Sequence, residues 1–255
     1  MATTYPVLRW QIGGVVYVLF LAVFLFAIGF VGNIVVPRSV DGPATMGAIQ
    51  ALICNAVLLT IFAVQHSVMA RKGFKAWWTK IVPPVIERST YVLLASVALF
   101  ALCWFWQPIA GSVWSVRDAA AVNAIWAVFW LGWGVLLLAT FLINHFELFG
   151  LRQVFAKMSG KAIPEQEFRT PLLYKYVRHP IYLGFIMAFW ATPEMTYGHL
   201  LFAIGGTGYI LVGIWFEERD LIAHYGERYR TYRQQVPRLI PGFGRRSGSG
   251  PAKQD

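Results

Sequence analysis

The tripeptide Arg178-His179-Pro180 stands directly before the membrane-grade run IYLGFIMAFW. Proline suits the first position of a helix, where its missing N–H would have no partner anyway. It also pushes the preceding residue towards extended geometry. The spacing therefore predicts His179 just outside a helix and Tyr182 in its first turn. A helix start offers free N–H groups and partial positive charge, a ready site for an anionic group. The same residues also suit a membrane-interface anchor, with Arg178 reaching headgroups and Tyr182 in an aromatic belt. On this motif alone both readings stand. Further on, Glu217 and Glu218 are paired carboxylates at a membrane edge, where ionisable groups are costly and often functional. They also fit a solvated face, paired with Arg219 or Arg178. Tyr225, Tyr229 and Tyr232 recur at helical spacing and make one aromatic face, which by itself reads as packing.

The composition makes the scaffold for these residues a membrane bundle. Of 255 residues, 57% are hydrophobic, 16% aromatic and 13% charged; an ordinary soluble domain carries about 25% charge. Residues 12–31 hold twenty positions without a charge, enough to cross a hydrocarbon core of roughly 30 Å. A secretory signal has a shorter apolar core and a small-residue cleavage site, so this run reads as a retained helix. Further apolar stretches lie at residues 44–64, 90–106, 119–143, 181–192 and 200–216. The fold expected is an all-α integral membrane protein with four spans. A C-terminal hairpin of two shorter helices should close it around TPEMTYGH, and residues 146–178 with the C-terminal helix should build a cytosolic cap.

The net charge of +10 raises nucleic acid as a partner, but its distribution speaks for topology. Arg38 and Arg117 alone would face outward, leaving 20 of the 22 Lys and Arg residues on one side. Positive residues resist translocation, so both termini are expected in the cytosol. Loop ARKGFKAWWTKIVPPVIERS places two tryptophans among lysines before a Pro-Pro break, the pattern of an interfacial helix. Lipid is thus an expected partner and nucleic acid is not. Cys54 and Cys103 lie inside predicted spans without a metal spacing and read as small apolar packing residues. No repeat and no second soluble domain is visible. One domain is expected over residues 1–242, with a disordered polar tail at 243–255.

Taken together, Arg-His-Pro-x-Tyr-x-Gly, a helical hairpin, Glu-Glu and Tyr-Gly-x-x-Tyr-x-x-Tyr-x-x-x-Val-Pro, all within residues 173–241, resemble the isoprenylcysteine carboxyl methyltransferase superfamily. Membrane sterol reductases share a looser version of the pattern. The resemblance implies S-adenosylmethionine as methyl donor and a donor-binding part at residues 146–241. It also implies contacts from Tyr174, Arg178, His179, Pro180, Ile181, Tyr182 and Glu217. The residue types suit that molecule: Glu217 for the ammonium, Arg178 or the helix start for the carboxylate, a tyrosine for the adenine face. Methyl transfer is an in-line displacement, to which a protein contributes alignment and exclusion of water.

Carboxyl methylators of the superfamily place an arginine four residues before the glutamate, where this chain has Gly213. The front half, with QHSVMARKGFKAWW, ERSTYVL and NHFELFGLRQVF, is similar to the methanethiol S-methyltransferase branch of bacterial membrane enzymes. That likeness implies methylation of a small thiol, giving dimethyl sulfide from methanethiol, in a bacterial inner membrane. His66 and His145 end the second and fourth predicted spans at about the depth of His179. An imidazole there suits capture of a thiol proton, so both are the expected catalytic residues; each also reads as a hydrogen-bonded helix-end histidine. Haem or metal is not expected, since no Cys-x-x-Cys-His occurs and the histidines lack a short local spacing. The alternatives are methylation of a prenyl-cysteine or lipid substrate, and a nicotinamide-dependent membrane reductase, for which no Gly-rich dinucleotide loop is visible.

Overall fold

The computed structural model describes residues 4–151 and 168–242. The tail 243–255 and residues 152–167 of the loop expected to form the cap lie outside the described residues. In chain order the elements are α1 (Thr4–Gly32), α2 (Ala48–Ala70), α3 (Lys72–Trp78), α4 (Pro84–Phe105) and β1 (Ser112–Ser115). Next come α5 (Ala119–Ile143), α6 (His145–Leu148), a 3₁₀ turn (Leu172–Lys175), α7 (Pro180–Trp190), β2 (Glu194–Thr196), α8 (Tyr197–Tyr225) and α9 (Glu227–Gln235). Among the described helices, five are long and apolar enough to cross a membrane, in α1, α2, α4, α5 and α8. The chain is an all-α integral membrane protein. Its apolar surface fits that solvent: only 11% of the α2 window is buried, and Ile49, Leu52, Ile53, Val57 and Ile61 all face outward.

The closing hairpin is unequal. α7 has 11 residues, as a short helix should, but α8 has 29 and runs well past the apolar stretch that ends at Phe216. Hydropathy falls at the membrane edge while the backbone hydrogen-bond ladder continues, so the polar sequence EERDLIAHY extends the same helix. The described residues also include a small antiparallel sheet, in which β1 pairs with β2 and ties the α4–α5 loop to the hairpin turn.

Local sequence explains the helix ends. Pro84 opens α4, Asp118 caps α5 by accepting the Ala121 N–H at 2.9 Å, and Thr196 caps α8 through the His199 N–H at 3.0 Å. Gly226, at φ 58°, takes the left-handed turn that L side chains avoid and separates α8 from α9.

α7 carries the Arg-His-Pro motif, and its position is set by direct backbone contact with α5. A Cβ at Gly132 would lie 2.8 Å from the Gly184 carbonyl oxygen, and one at Gly184 2.5 Å from that of Gly132. Small residues permit this approach, which supplies the van der Waals packing that holds helices together in lipid. The main core gathers Phe30, Trp106, Phe129, Trp133, Phe189 and Phe202 from four helices and the α4–α5 loop. A second cluster at the motif end joins Val16, Met69, Tyr91 and Val92 with Phe20, Phe74, Trp78 and Phe149. α3 occupies the stretch expected to be interfacial, with Trp78 Nε1 donating to Thr90 Oγ1 at 3.0 Å and Trp77 exposed.

At the opposite end the α1–α2 loop is latched to the hairpin. Asp41 accepts from Asn33 Nδ2 at 2.7 Å and from Thr196 Oγ1 at 2.5 Å, and lies 2.9 Å from His199 Nδ1. His199 Nε2 is 2.9 Å from the Phe189 carbonyl. Burial pulls the Asp41 carboxyl up, but His199, Thr196 and Asn33 outweigh it and hold the group below its ordinary value.

Candidate active site

The start of α7 follows the geometry its sequence predicts. His179 is the residue before the helix, at φ −127° and ψ 65°, and Pro180 is the first helical residue. Leu183 N–H already bonds to the His179 carbonyl at 3.0 Å, so Ile181 and Tyr182 supply the helix-start N–H groups that lack an intrahelical acceptor. The side chains of Pro180 and Ile181 are held by packing: Pro180 is fully buried and Ile181 packs on the main core.

Arg178 is committed to the fold. Its Nε and Nη2 reach Glu218 Oε1 at 2.9 and 2.7 Å, while Nη1 donates to the Arg233 and Val236 carbonyls at 2.7 and 2.6 Å. Its backbone N–H donates to the Pro237 carbonyl at 2.9 Å, and that of His179 to the Arg238 carbonyl at 3.2 Å. One guanidinium therefore clamps the start of α7, the start of the α8 overhang and the end of α9. The helix start, rather than Arg178, remains to meet a ligand carboxylate.

Sequence reasoning singled out Glu217, and the structure adds Glu218 as the hub. Glu218, 3% exposed, also lies 3.2 Å from His179 Nε2, 3.4 Å from Arg238 and 3.7 Å from Arg233. The Glu217 side chain is 43% exposed, with Oε2 3.8 Å from His179 Nδ1, and it lies near the Tyr182 hydroxyl. Adjacent helical residues point about 100° apart, so one carboxylate closes the clamp and its neighbour faces outward. Periodicity cannot say which without the rotation of α8.

Aromatic rings wall this carboxylate site. Tyr174, buried on the 3₁₀ turn, donates to the Ala139 carbonyl at 3.4 Å, and its own carbonyl accepts the Tyr232 hydroxyl at 2.5 Å. Phe168 lies 5.9 Å from Tyr229 and 5.3 Å from Tyr232, centroid to centroid. Burial raises the phenols of Tyr174, Tyr229 and Tyr232, so all three stay protonated. Among the described residues the Tyr229 hydroxyl is buried with no hydrogen-bond partner. A buried polar atom left unpaired costs free energy, and this one lies within electrostatic reach of Glu217 and Glu218. Gly213, one helical turn before Glu217, faces this site: a Cβ there would meet only the Tyr182 hydroxyl, at 3.9 Å.

His66 and His145, expected at one depth, make no hydrogen bond or ring contact with each other among the described residues, although Tyr91 beside the one and Phe149 beside the other belong to the same apolar cluster. His145 is stacked on Phe141 at 4.2 Å and both ring nitrogens are engaged, Nε2 with Tyr17 Oη at 2.8 Å and Nδ1 with Thr140 Oγ1 at 2.9 Å. Thr140 has one hydroxyl proton, directed to the Leu137 carbonyl at 2.7 Å. His145 Nδ1 must therefore donate, and Nε2 must accept from Tyr17. Burial lowers its pKa, which keeps it neutral. His66 meets the Tyr91 hydroxyl, 3.2 Å from Nδ1 and 3.0 Å from Nε2. Phe62 and Tyr209 flank its ring. The tyrosines at both histidines escaped sequence reasoning; their signal was a hydroxyl placed inside an apolar span.

Among known proteins, the chain is 60% identical over 229 residues to a methanethiol S-methyltransferase of Mycobacterium tuberculosis, covering 90% of this chain and 94% of that one. It is 53% identical over 220 residues to the methanethiol S-methyltransferase of Pseudomonas deceptionensis, 86% of this chain and 84% of that one. Nurim of Danio rerio is 27% identical over 191 residues, 68% of this chain and 66% of that protein. No family model matches, and no solved structure matches. At this identity and coverage the chain belongs to the methanethiol S-methyltransferase family.

Proposed function

We propose that this protein transfers a methyl group from S-adenosylmethionine to methanethiol, giving dimethyl sulfide. The observation that carries the reading is Glu217, a half-exposed carboxylate beside aromatic rings and an orphaned Tyr229 hydroxyl. That set fits a ligand with an ammonium, a carboxylate and a flat base. In this reading Glu217 binds the ammonium, and the N–H groups of Ile181 and Tyr182 meet the carboxylate. Tyr174, His179 and Tyr182 wall the donor, and Arg178 and Pro180 hold that wall in place. The bound donor supplies an electrophilic methyl on its sulfonium.

The family is named for methanethiol, and Gly213 is consistent with that acceptor. No basic side chain stands at the position facing Tyr182, so nothing there would anchor a carboxylate. A small thiol needs only an apolar pocket, close approach to the methyl and a route for its proton. Of the two expected histidines, His66 suits that last task, because His145 has both nitrogens engaged. The charge asymmetry of 20 to 2 supports a cytosolic motif end, with both termini inside a bacterial inner membrane and the donor-binding part spanning 146–241.

The test supplies labelled S-adenosylmethionine to detergent-purified protein with either methanethiol or a prenylated cysteine, and measures volatile sulfide and methyl ester. Sulfide is expected. Methyl ester without sulfide would assign the protein to lipid methylation, and binding of NADPH in preference to S-adenosylhomocysteine would make it a reductase.

A further inference from the structure

We propose that Tyr91 and His66 form the proton-accepting pair for the thiol, beside the face of α8 that carries Tyr209, Gly213 and Glu217, with Tyr209 positioning them. The inference deepens the proposed function and rests on it. Tyr209, Gly213 and Glu217 are spaced four apart on α8 and so share one helical face. That face runs from the half-exposed carboxylate down towards His66, whose ring is 6.3 Å from that of Tyr209 and 5.3 Å from that of Tyr91. The Tyr209 hydroxyl bonds Ser67 Oγ at 3.2 Å, which ties α8 to α2 beside the histidine. On that face a Cβ added at Gly213 would meet only the Tyr182 hydroxyl, at 3.9 Å, so the donor wall adjoins the face of Tyr209 there.

Polar and ionisable groups inside a span are costly and mark function, and the two histidine–tyrosine pairs differ in what they leave available. Tyr17 closes off His145, whose second nitrogen is also bonded. The single Tyr91 hydroxyl lies within 3.2 Å of both nitrogens of His66 and can bond only one of them at a time, so a proton delivered to the Tyr91 oxygen can be matched by one passed to whichever nitrogen it faces. In the step itself the thiol S–H bond breaks and its proton goes to the Tyr91 oxygen as the Tyr91 hydroxyl proton moves to His66. The sulfur electron pair forms the new S–CH₃ bond while the methyl–sulfonium bond breaks, leaving a neutral thioether. The positive charge lost from the donor reappears on the imidazolium, which releases its proton to solvent.

The experiment compares dimethyl sulfide formation and S-adenosylhomocysteine binding across pH for the full chain and three variants. Tyr91→Phe and His66→Gln are expected to lower kcat about 10- to 100-fold near neutral pH, the range general acid–base catalysis supplies, with S-adenosylhomocysteine affinity within two-fold. The loss should close as pH rises through the pKa of the thiol, where thiolate needs no acceptor. Tyr17→Phe, at the closed pair, should change kcat less than three-fold with no pH trend. Should Tyr91→Phe fail to accumulate, His66→Gln gives the same readout. Unchanged kcat, or a loss equal at every pH, overturns the pair while leaving thiol methylation intact. Absence of thiol methylation by the parent chain overturns both readings together.

Discussion

At one end of the bundle Asp41 buries a carboxylate against His199; at the other Glu218 does so against His179. The Asp41 pair is closed. Both Asp41 oxygens and both His199 nitrogens have partners, all from the protein itself, and the result joins a loop to a hairpin. The motif end holds a more deeply buried clamp but surrounds it with unused capacity: a half-exposed Glu217, an unpartnered Tyr229 hydroxyl among the described residues and two helix-start N–H groups. Buried polar clusters that are fully satisfied add rigidity, and those with spare hydrogen-bonding capacity mark where a ligand completes the network. The same contrast separates the two histidine–tyrosine pairs, one closed and one open.

The contrast breaks most severely at Glu218. Glu218→Ala leaves the Arg178 guanidinium buried without its carboxylate, which should cost about 3–5 kcal/mol of stability. Little folded protein should survive a detergent unfolding scan. Glu217→Ala, one residue away, should leave the unfolding temperature unchanged and weaken S-adenosylmethionine binding by about 1.5–3 kcal/mol, read by calorimetric titration. Equal loss of stability in both variants would erase the distinction between clamp and ligand carboxylate.

At the opposite end from the motif Asp41→Asn should cost about 1–2 kcal/mol of stability, as loss of one charged hydrogen-bond partner does, with donor affinity untouched. The Asp41 carboxyl titrates below its ordinary value, so its contribution is fully present above the usual carboxylate range and lost as pH falls through the depressed value. Parent and variant unfolding temperatures should therefore converge in acid and stay apart at neutral pH. The smallest expected effect is at Tyr229. Tyr229→Phe removes a hydroxyl with no partner among the described residues, so the empty protein should lose no stability. Donor affinity should still fall by about 0.5–1.5 kcal/mol, the net value of one neutral hydrogen bond. A drop in stability without a drop in affinity would make Tyr229 part of the clamp.

Much of this was written in local sequence. The helix start at Pro180, with His179 before it, follows from proline geometry alone. The long uncharged runs predicted membrane helices because lipid demands them. α8 was read too short because hydropathy reports contact with lipid and stops where Glu217 begins, whereas the helix needs only its backbone ladder.

Other features depended on which way each helix turned. Sequence placed two carboxylates side by side, but only the rotation of α8 set Glu218 inward on Arg178 and left Glu217 half-exposed. It likewise placed two histidines at one depth, yet depth along a helix says nothing of azimuth, and only the packed bundle gave each ring its own tyrosine partner, Tyr91 for His66 and Tyr17 for His145. The composition and the Arg-His-Pro motif, which act through solvent preference and nearest-neighbour sterics, determined the membrane class and the form of the site. Which polar groups are closed and which remain open was decided by tertiary packing, because hydrogen-bond satisfaction depends on partners 40 to 158 residues away in the chain, as in Arg178 with Glu218 and Asp41 with His199.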